Sequence, residues 1–351
     1  MISGRLLNLV RCPECRMPVM ARPEEAHVLV CAGCRREYRA AGDYLDMRPA
    51  EQFSEQTRYL DEALHADARH ERVSPPLLGS KIRNDMLRGF LHPSRGELVV
   101  DLGCGSGRTL LWNRDLGASA IGIDISPFFS TEARQDVDLL LGDLRRLPFA
   151  DATFAKAWSL DVLEHLSPEA LRAMLREAAR ILEPGGALFV YTHVRQNARI
   201  AAGLRWINAI ARHLERAGLI DLRQEHLRKS DHVNPLRDIP ELEQVARDAG
   251  FHIAKIRYYT PIVGGFIENI LMRMAERVMA RRAARRLRGT LPAPDADAAA
   301  IREARTAAKT QIANSPLTYA ALRGLSLLMK VDLWLFGRVR SGPFFALLVK
   351  D

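Results

Sequence analysis

The stretch VVDLGCGSGRTL, Val99–Leu110, decides the fold. An apolar run ends in Asp101, glycines follow at 103, 105 and 107, and a helix-compatible run, Arg108–Arg114, comes next. With Glu97–Asp101 as a buried strand, this predicts a strand, a glycine turn and a helix, the ligand-holding corner of a doubly wound sheet. Two phosphate-holding patterns do not fit. A G-x-G-x-x-G fingerprint counted from Gly103 needs glycine at 108, where Arg108 stands, and no lysine follows Gly107 as a phosphate loop requires. Asp101 would also repel phosphate; it suits a cationic ligand.

The pattern repeats downstream. Ala120–Asp124 reads as a second strand, Leu139–Asp143 as a third, Phe154–Leu160 as a fourth, and Ala187–Thr192, after the turn Glu183–Gly186, as a fifth. Helical periodicity lies between them, most clearly over Pro168–Leu182. Carboxylates thus end strands at 101, 124 and 143, along one sheet edge. An acid about 20 residues past such a glycine turn binds ribose hydroxyls in this architecture.

These ordered motifs resemble the class I S-adenosylmethionine-dependent methyltransferases, in the broad subgroup that contains the quinone-biosynthesis enzymes. The resemblance covers about Glu97–Thr260. It implies an α/β fold: a doubly wound, seven-stranded, Rossmann-like sheet. It also implies a place for S-adenosyl-L-methionine. Asp101 would face the amino end of its methionine part, and Gly103, Gly105 and Gly107 would let the backbone approach. Asp124 would take the ribose hydroxyls, Asp143 and the Leu144 backbone the adenine, and Ser159 would line the methionine end. Cys104 reads as a small packed residue within the loop.

Four of the five cysteines form two Cys-x-x-Cys knuckles, Cys12/Cys15 and Cys31/Cys34, with 15 residues between them. That is the spacing of a four-cysteine zinc ribbon. Two disulfides are disfavoured in a reducing compartment, and a redox motif is disfavoured by the doubling. Four thiolates leave zinc no open position, so the site reads as structural. About 45 residues are too few for an unaided core, and the metal would supply the missing folding free energy. With Cys34–Met47 downstream, the module resembles the zinc-ribbon activator subunit of RNA and protein methyltransferases, and more loosely the ribbon preceding certain ribosomal-RNA guanine methyltransferases.

The 351 residues allow two or three domains. We expect a zinc ribbon over 1–48, a helical connector over 49–95, a methyltransferase core over 96–260 with a substrate-side lid segment at 193–240, a basic amphipathic helical insertion over 261–342, and a closing strand over 343–351. Leu6–Val10 is too short for a signal-peptide core, and Leu325–Phe336 is cut by Lys330 and Asp332, so neither a leader nor a spanning helix is expected. A cytoplasmic protein, peripheral at the membrane surface at most, is the expectation.

The methyl acceptor is the open part of the reading. Enzymes acting on exocyclic base amines usually carry an Asn/Asp-Pro-Pro-aromatic signature after the fourth strand, where this chain has Ser159–Val162, SLDV. Carbon-5 pyrimidine enzymes need a cysteine near that strand, and none is there. An oxygen acceptor is favoured, with ring nitrogen or carbon open. Base candidates are His165, beside Glu164 in DVLEHL (Asp161–Leu166), His193 after the fifth strand, and His232 in EHLRKSDHVNP (Glu225–Pro235), which also holds His226. A lone histidine is commonly only a packing or surface residue. His232 is preferred, because segments of this kind border the substrate in the resembling subgroup.

Between the sixth strand, Phe251–Thr260, and the closing strand, Pro343–Lys350, stand 82 residues where a tight turn would suffice. Ile267, Ile270, Leu271, Met274 and Val278 read as one apolar stripe, and arginines recur at 273, 277, 281 and 285. The segment carries 14 basic and 6 acidic residues, nearly the whole net +9 of the chain, whereas 49–192 is acidic by five. Three readings follow: a solvated lid, a helix on an anionic membrane near a small or lipid-like acceptor, or an RNA-binding arm. A core that binds cofactor without turnover is the non-enzymatic alternative.

Overall fold

The computed structural model describes residues 3–22, 25–49, 73–195, 199–222, 232–287, 307 and 315–351. Residues 50–72 of the expected connector, His226 and the alanine-rich stretch Thr290–Ala300 lie outside them, as do the side chains of Arg285, Arg286 and Arg288.

A short helix, Gly4–Leu9 (α1), precedes four strands: Val19–Arg22 (β1), Glu25–Cys31 (β2), Glu37–Ala41 (β3) and Tyr44–Asp46 (β4). Seven strands follow: Leu98–Leu102 (β5), Ser119–Asp124 (β6), Asp138–Leu141 (β7), Phe154–Leu160 (β8), Leu182–His193 (β9), Phe251–Tyr258 (β10) and Pro343–Lys350 (β11). All eleven form one sheet, ordered β1-β2-β3-β4-β7-β6-β5-β8-β9-β11-β10. Strands β5 to β9 are mutually parallel, and β11 runs antiparallel between β9 and β10. The last seven are the Rossmann-like sheet expected from sequence. From β5 the chain winds outward through β6 and β7, then returns to β8 on the other side. Ligands bind beyond the carboxyl ends of the strands at such a reversal.

Side chains alternate between the two faces of the sheet. Val100, Ile121, Leu140, Ala157 and Leu188 join one buried cluster, and Val99, Leu139, Leu141, Trp158 and Phe189 join the other. Helices Leu78–Leu91 (α2), Arg108–Asn113 (α3), Thr131–Asp136 (α4), Pro168–Ile181 (α5) and Ile239–Asp248 (α7) accompany the sheet, and Ala201–Arg216 (α6) packs on the segment that follows β10, with Ala211 clustered beside Ile270. Ser130, Ser167 and Asp238 cap α4, α5 and α7 by accepting a backbone N–H three residues on. The stretch Glu183–Gly186, expected as a turn, instead belongs to β9. It is accommodated by a register shift against β8, with Gly185 at φ +72°.

The cysteine module shares the sheet with the core. Leu45 pairs with Leu140 across a parallel β4–β7 contact, and the Met47 N–H donates to the Leu141 carbonyl at 2.8 Å. Leu45 and Met47 are fully buried in the same cluster as the core strands. Arg146 pairs with Glu14 at 2.9 Å and Arg16 with Glu177 at 3.3 Å across the same junction.

The helical insertion is present between β10 and β11. It contains Ile262–Phe266 (α8), a π-helical turn Ile267–Met272, Arg273–Leu287 (α9) and Pro316–Phe336 (α10). The charges that break its apolar run are structural. Asp332, fully buried, accepts the N–H groups of Val263 at 2.9 Å and Gly264 at 2.8 Å, and Lys330 pairs with Asp85 of α2 at 2.6 Å. Ser326 and Glu268 accept the N–H groups of Leu78 and Gly79 at the start of α2. The expected single stripe is split. Ile267 and Ile270 are buried, whereas Leu271, Met274 and Val278 are exposed, because the π turn changes the helical phase partway along.

Replacing Leu45 by alanine should destabilise the whole protein by about 2–5 kcal/mol in one cooperative denaturant transition. A separate early transition for the cysteine module would show that the shared sheet does not couple the two.

Candidate active site

The glycine turn is pinned from behind. The N–H groups of Gly103 and Cys104 both donate to the Ile123 carbonyl, at 2.9 and 3.1 Å. Gly103, Gly105 and Gly107 have φ of +84°, +54° and +80°, a region that favours glycine. A Cβ at Gly103 would strike Val162, and one at Gly107 would lie 2.6 Å from the Ala133 Cβ. A Cβ at Gly105 would meet nothing within 4 Å among the described residues, so they leave the loop's middle open.

Carboxylates surround that space. Asp124 Oδ2 accepts the Gly105 N–H at 2.7 Å, and its Oδ1 accepts the N–H and hydroxyl of Ser126 at 2.9 and 2.7 Å. Asp101 is buried in the last turn of β5, and burial pushes its pKa up to about 8. The Trp158 indole opposes that rise without reaching hydrogen-bond geometry, and the Asp124 charge adds to it. Asp143, just past β7, accepts the Arg145 N–H at 2.9 Å and pairs with its guanidinium at 2.9 Å. Leu144 is half-buried against the core. Ser159 is fully buried and its hydroxyl donates to the Leu102 carbonyl at 2.7 Å, tying β8 to the end of β5. Asp101, Asp124, Asp143 and the three glycines therefore share one edge, while Ser159 directs its proton into the main chain.

The three histidines singled out from sequence come together from three segments. Glu164, in the 3-10 turn Leu163–His165, is buried with 1% exposure beneath them. Its Oε2 accepts the Thr192 hydroxyl at 2.8 Å, and its Oε1 faces His193 Nδ1 at 3.4 Å, without hydrogen-bond alignment. Its carbonyl accepts the Asn234 N–H at 2.8 Å, which draws in the segment carrying His232. The His165 and His232 rings lie 4.6 Å apart edge to face, and the His193 and His232 rings 5.9 Å apart. Burial raises the Glu164 pKa, but His193, the local backbone and His165 outweigh it and hold the group below its ordinary value.

Sequence reading missed three neighbours. Arg83 of α2 lies over the Tyr191 ring at 5.6 Å and 3.4 Å from Asp161, whose backbone is left-handed at φ +56°. Burial raises the Asp161 pKa, and Arg83 opposes it. No local pattern marks Arg83, because its role exists only once α2 folds over the strand ends.

At the far end of the sheet, Cys12 and Cys34 sulfurs are 3.6 Å apart, Cys15 and Cys31 sulfurs 3.3 Å apart, and all four lie within 4.8 Å of one another. A disulfide needs about 2.05 Å. Tetrahedral zinc with bonds of about 2.3 Å places sulfurs about 3.8 Å apart. Arg16 and Arg35 follow the two knuckles at φ +61° and +63°, so the two turns are built alike.

Because the folded Asp101 pKa lies above its unfolded value, the stabilising effect of its proton is fully present at acid pH. It is lost as pH rises toward about 8. Asp101→Asn should therefore gain thermal stability relative to the wild type across that rise, measured without ligand. A melting-temperature difference that is flat with pH would refute the buried-acid assignment.

Residues 100–190 match the family described as "Methyltransferase domain". The chain is 30% identical over 169 residues to Methyltransferase GfsG of Streptomyces halstedii, covering 43% of this chain and 57% of that one. It is 41% identical over 104 residues to a demethylmenaquinone methyltransferase of Corynebacterium kroppenstedtii, covering 29% and 44%. Against "Probable tRNA methyltransferase 9B" of Mus musculus it is 33% identical over 108 residues, covering 30% and 24%. The chain spans about half the length of the curated relatives it matches first. The glycine corner and the acid-ended parallel strands lie within the matched span, residues 100–190, which is a methyltransferase domain similar to the class I, S-adenosylmethionine-dependent enzymes.

Proposed function

We propose that this protein transfers a methyl group from S-adenosylmethionine to an oxygen of a small or lipid-like molecule. One observation carries the reading: His165, His193 and His232 converge with buried Glu164 at the carboxyl ends of β8 and β9. The glycine corner lies at the same edge. A hydroxyl acceptor must lose a proton as it is methylated, and clustered imidazoles supply the base.

The cofactor fits the residues present. The open side of Gly105 admits a close backbone contact, and Asp101 offers its carboxylate to a cationic amino group. Asp124 takes the ribose hydroxyls, Asp143 and the Leu144 backbone take the adenine, and Ser159 shapes the methionine end through the Leu102 carbonyl it holds. When bound, the cofactor supplies an electrophilic methyl on a sulfonium. The chain aligns acceptor and methyl and removes the proton. Cys12, Cys15, Cys31 and Cys34 hold one structural zinc.

The cap adds a location. Along α10 the exposed apolar residues Leu317, Leu327, Leu328, Trp334 and Leu335 line one side, with Arg338 and Arg340 beyond them. No described helix is long and apolar enough to cross a membrane. This face suits docking on an anionic lipid surface, its apolar residues in the interface and its arginines at head groups. RNA is the second reading, favoured by the tRNA methyltransferase relative.

Asp124→Ala should weaken S-adenosylmethionine binding roughly ten- to a hundredfold by calorimetry. Unchanged affinity in a folded variant would refute the ribose assignment. Labelled-methyl transfer into fractionated extract should put label in alkali-stable ether linkages of the lipid or small-molecule fraction; label confined to RNA would overturn the acceptor class. Flotation with anionic against neutral vesicles, beside RNA titration, tests the docking. Arg338→Gln with Arg340→Gln should lower vesicle affinity about thirtyfold, from about 1 kcal/mol per arginine. Retention by RNA and never by vesicles would support the second reading.

A further inference from the structure

We infer that Glu164, His165 and His232 form a binding site for a divalent transition-metal cation on the acceptor side of the cleft. The chemical role given to the ion rests on the oxygen-acceptor reading above; its binding does not.

The donor atoms are already grouped. A carboxylate oxygen of Glu164 and a ring nitrogen each of His165 and His232 lie within 4.8 Å of one another. Metal bonds of about 2.0–2.2 Å place neighbouring ligand atoms about 3.0–3.5 Å apart. Side-chain rotation closes that gap, because the backbones are already tied. Glu164 and His165 share one 3-10 turn, and the Asn234 N–H holds the His232 segment to the Glu164 carbonyl at 2.8 Å.

The electrostatics ask for a cation. Glu164 is among the most buried carboxylates of the chain. A buried anion is costly unless paired. Arg83, which lies over the Tyr191 ring, pairs with Asp161 instead. The ion-pair partner described for Glu164 is His193, which is charged only when protonated. A bound cation would neutralise the carboxylate without consuming that imidazole as an acid.

The donor set selects the ion. Two imidazole nitrogens and one carboxylate oxygen suit zinc, manganese, iron or cobalt rather than magnesium or calcium. The thiolate set at Cys12, Cys15, Cys31 and Cys34 is closed, whereas three protein ligands here leave positions open. His193 Nδ1 is buried, has no hydrogen-bond partner among the described residues, and lies 3.4 Å from Glu164 Oε1. A small shift of Glu164 onto a metal would let Nδ1–H donate to it, fixing the tautomer as a carboxylate–histidine pair does. Nε2 would then be the base.

An acceptor hydroxyl in an open position would be acidified by the cation. Its proton passes to His193 Nε2, and its oxygen lone pair forms the bond to the methyl carbon. The carbon–sulfur bond breaks with both electrons kept by sulfur. No oxidant or reductant enters.

The test uses the full chain with its cysteine-bound zinc retained, and neither cofactor nor acceptor. Manganese(II) titration followed by electron paramagnetic resonance should show one bound ion per chain, with the zinc content unchanged. His232→Ala and His165→Ala should each weaken that binding at least tenfold. Glu164→Gln should do the same, but it also disturbs the Thr192 contact, so the histidine variants, checked by circular dichroism, decide. A wild-type chain that takes up no manganese, cobalt or additional zinc overturns the site. So does wild-type affinity in the folded His165→Ala/His232→Ala double variant. Oxygen methylation at full rate by protein shown to lack the second ion would sink the metal's role while leaving the acceptor reading intact. Binding without oxygen methylation would support the site and fail the acceptor reading.

Discussion

The hydrogen bond from the Gly105 N–H to the Asp124 carboxylate is the constraint on which the site depends. Three successive left-handed glycines make a floppy corner unless something fixes it. The Ile123 carbonyl holds its start, Asp124 its middle, and Ala133 packs against its end. All three anchors come from β6 or the segment after it. The parallel pairing of β5 with β6 therefore sets the shape of the cofactor corner as well as its place. Asp101 is the cost of that arrangement: a carboxylate desolvated at the strand end, close to a second one. A fold selected for stability alone would not put it there. A cationic ligand makes sense of it.

The histidine cluster is built by a parallel logic. Glu164 spends one oxygen on Thr192 of β9 and its carbonyl on Asn234, so one residue joins the turn after β8, the end of β9 and the segment before α7. Those three pieces each bring a histidine. Their convergence follows from the sheet order, because β8 and β9 are adjacent and parallel, with ends side by side.

Much of this was legible in the sequence, for definite reasons. The parallel strands are buried on both faces and so read as continuous apolar runs ending in acids. The closing strand Pro343–Lys350 has the predicted bounds. The doubled Cys-x-x-Cys spacing placed four sulfurs at one point. What was not legible depends on contacts distant in sequence. The pairing of β4 with β7 joins residues almost a hundred positions apart, and nothing in Tyr44–Asp46 announces it. Arg83 reads as one more surface charge on a helix. The commitment of Ser159 to the Leu102 carbonyl, and the pairing of Asp143 with Arg145, appear only in three dimensions. The split apolar stripe at Ile267–Val278 failed for a local reason, since a π turn breaks the period on which the reading relied.

The insertion shows how position turns composition into function. Its inward charges are consumed: Asp332 caps α8, Lys330 meets Asp85, and Glu268 meets the start of α2. These contacts fix α10 over α2, the helix that delivers Arg83 to the cleft. α10 and α2 are thus one mechanical unit. With its buried side so engaged, the cap's outer side is left carrying leucines, Trp334 and arginines together. An outer side of a merely solvated lid needs charge but not tryptophan, and a nucleic-acid arm needs charge but not a row of exposed leucines. The proposed lipid docking rests on that combination, on the side of α10 opposite its buried Ser326, Met329 and Leu333.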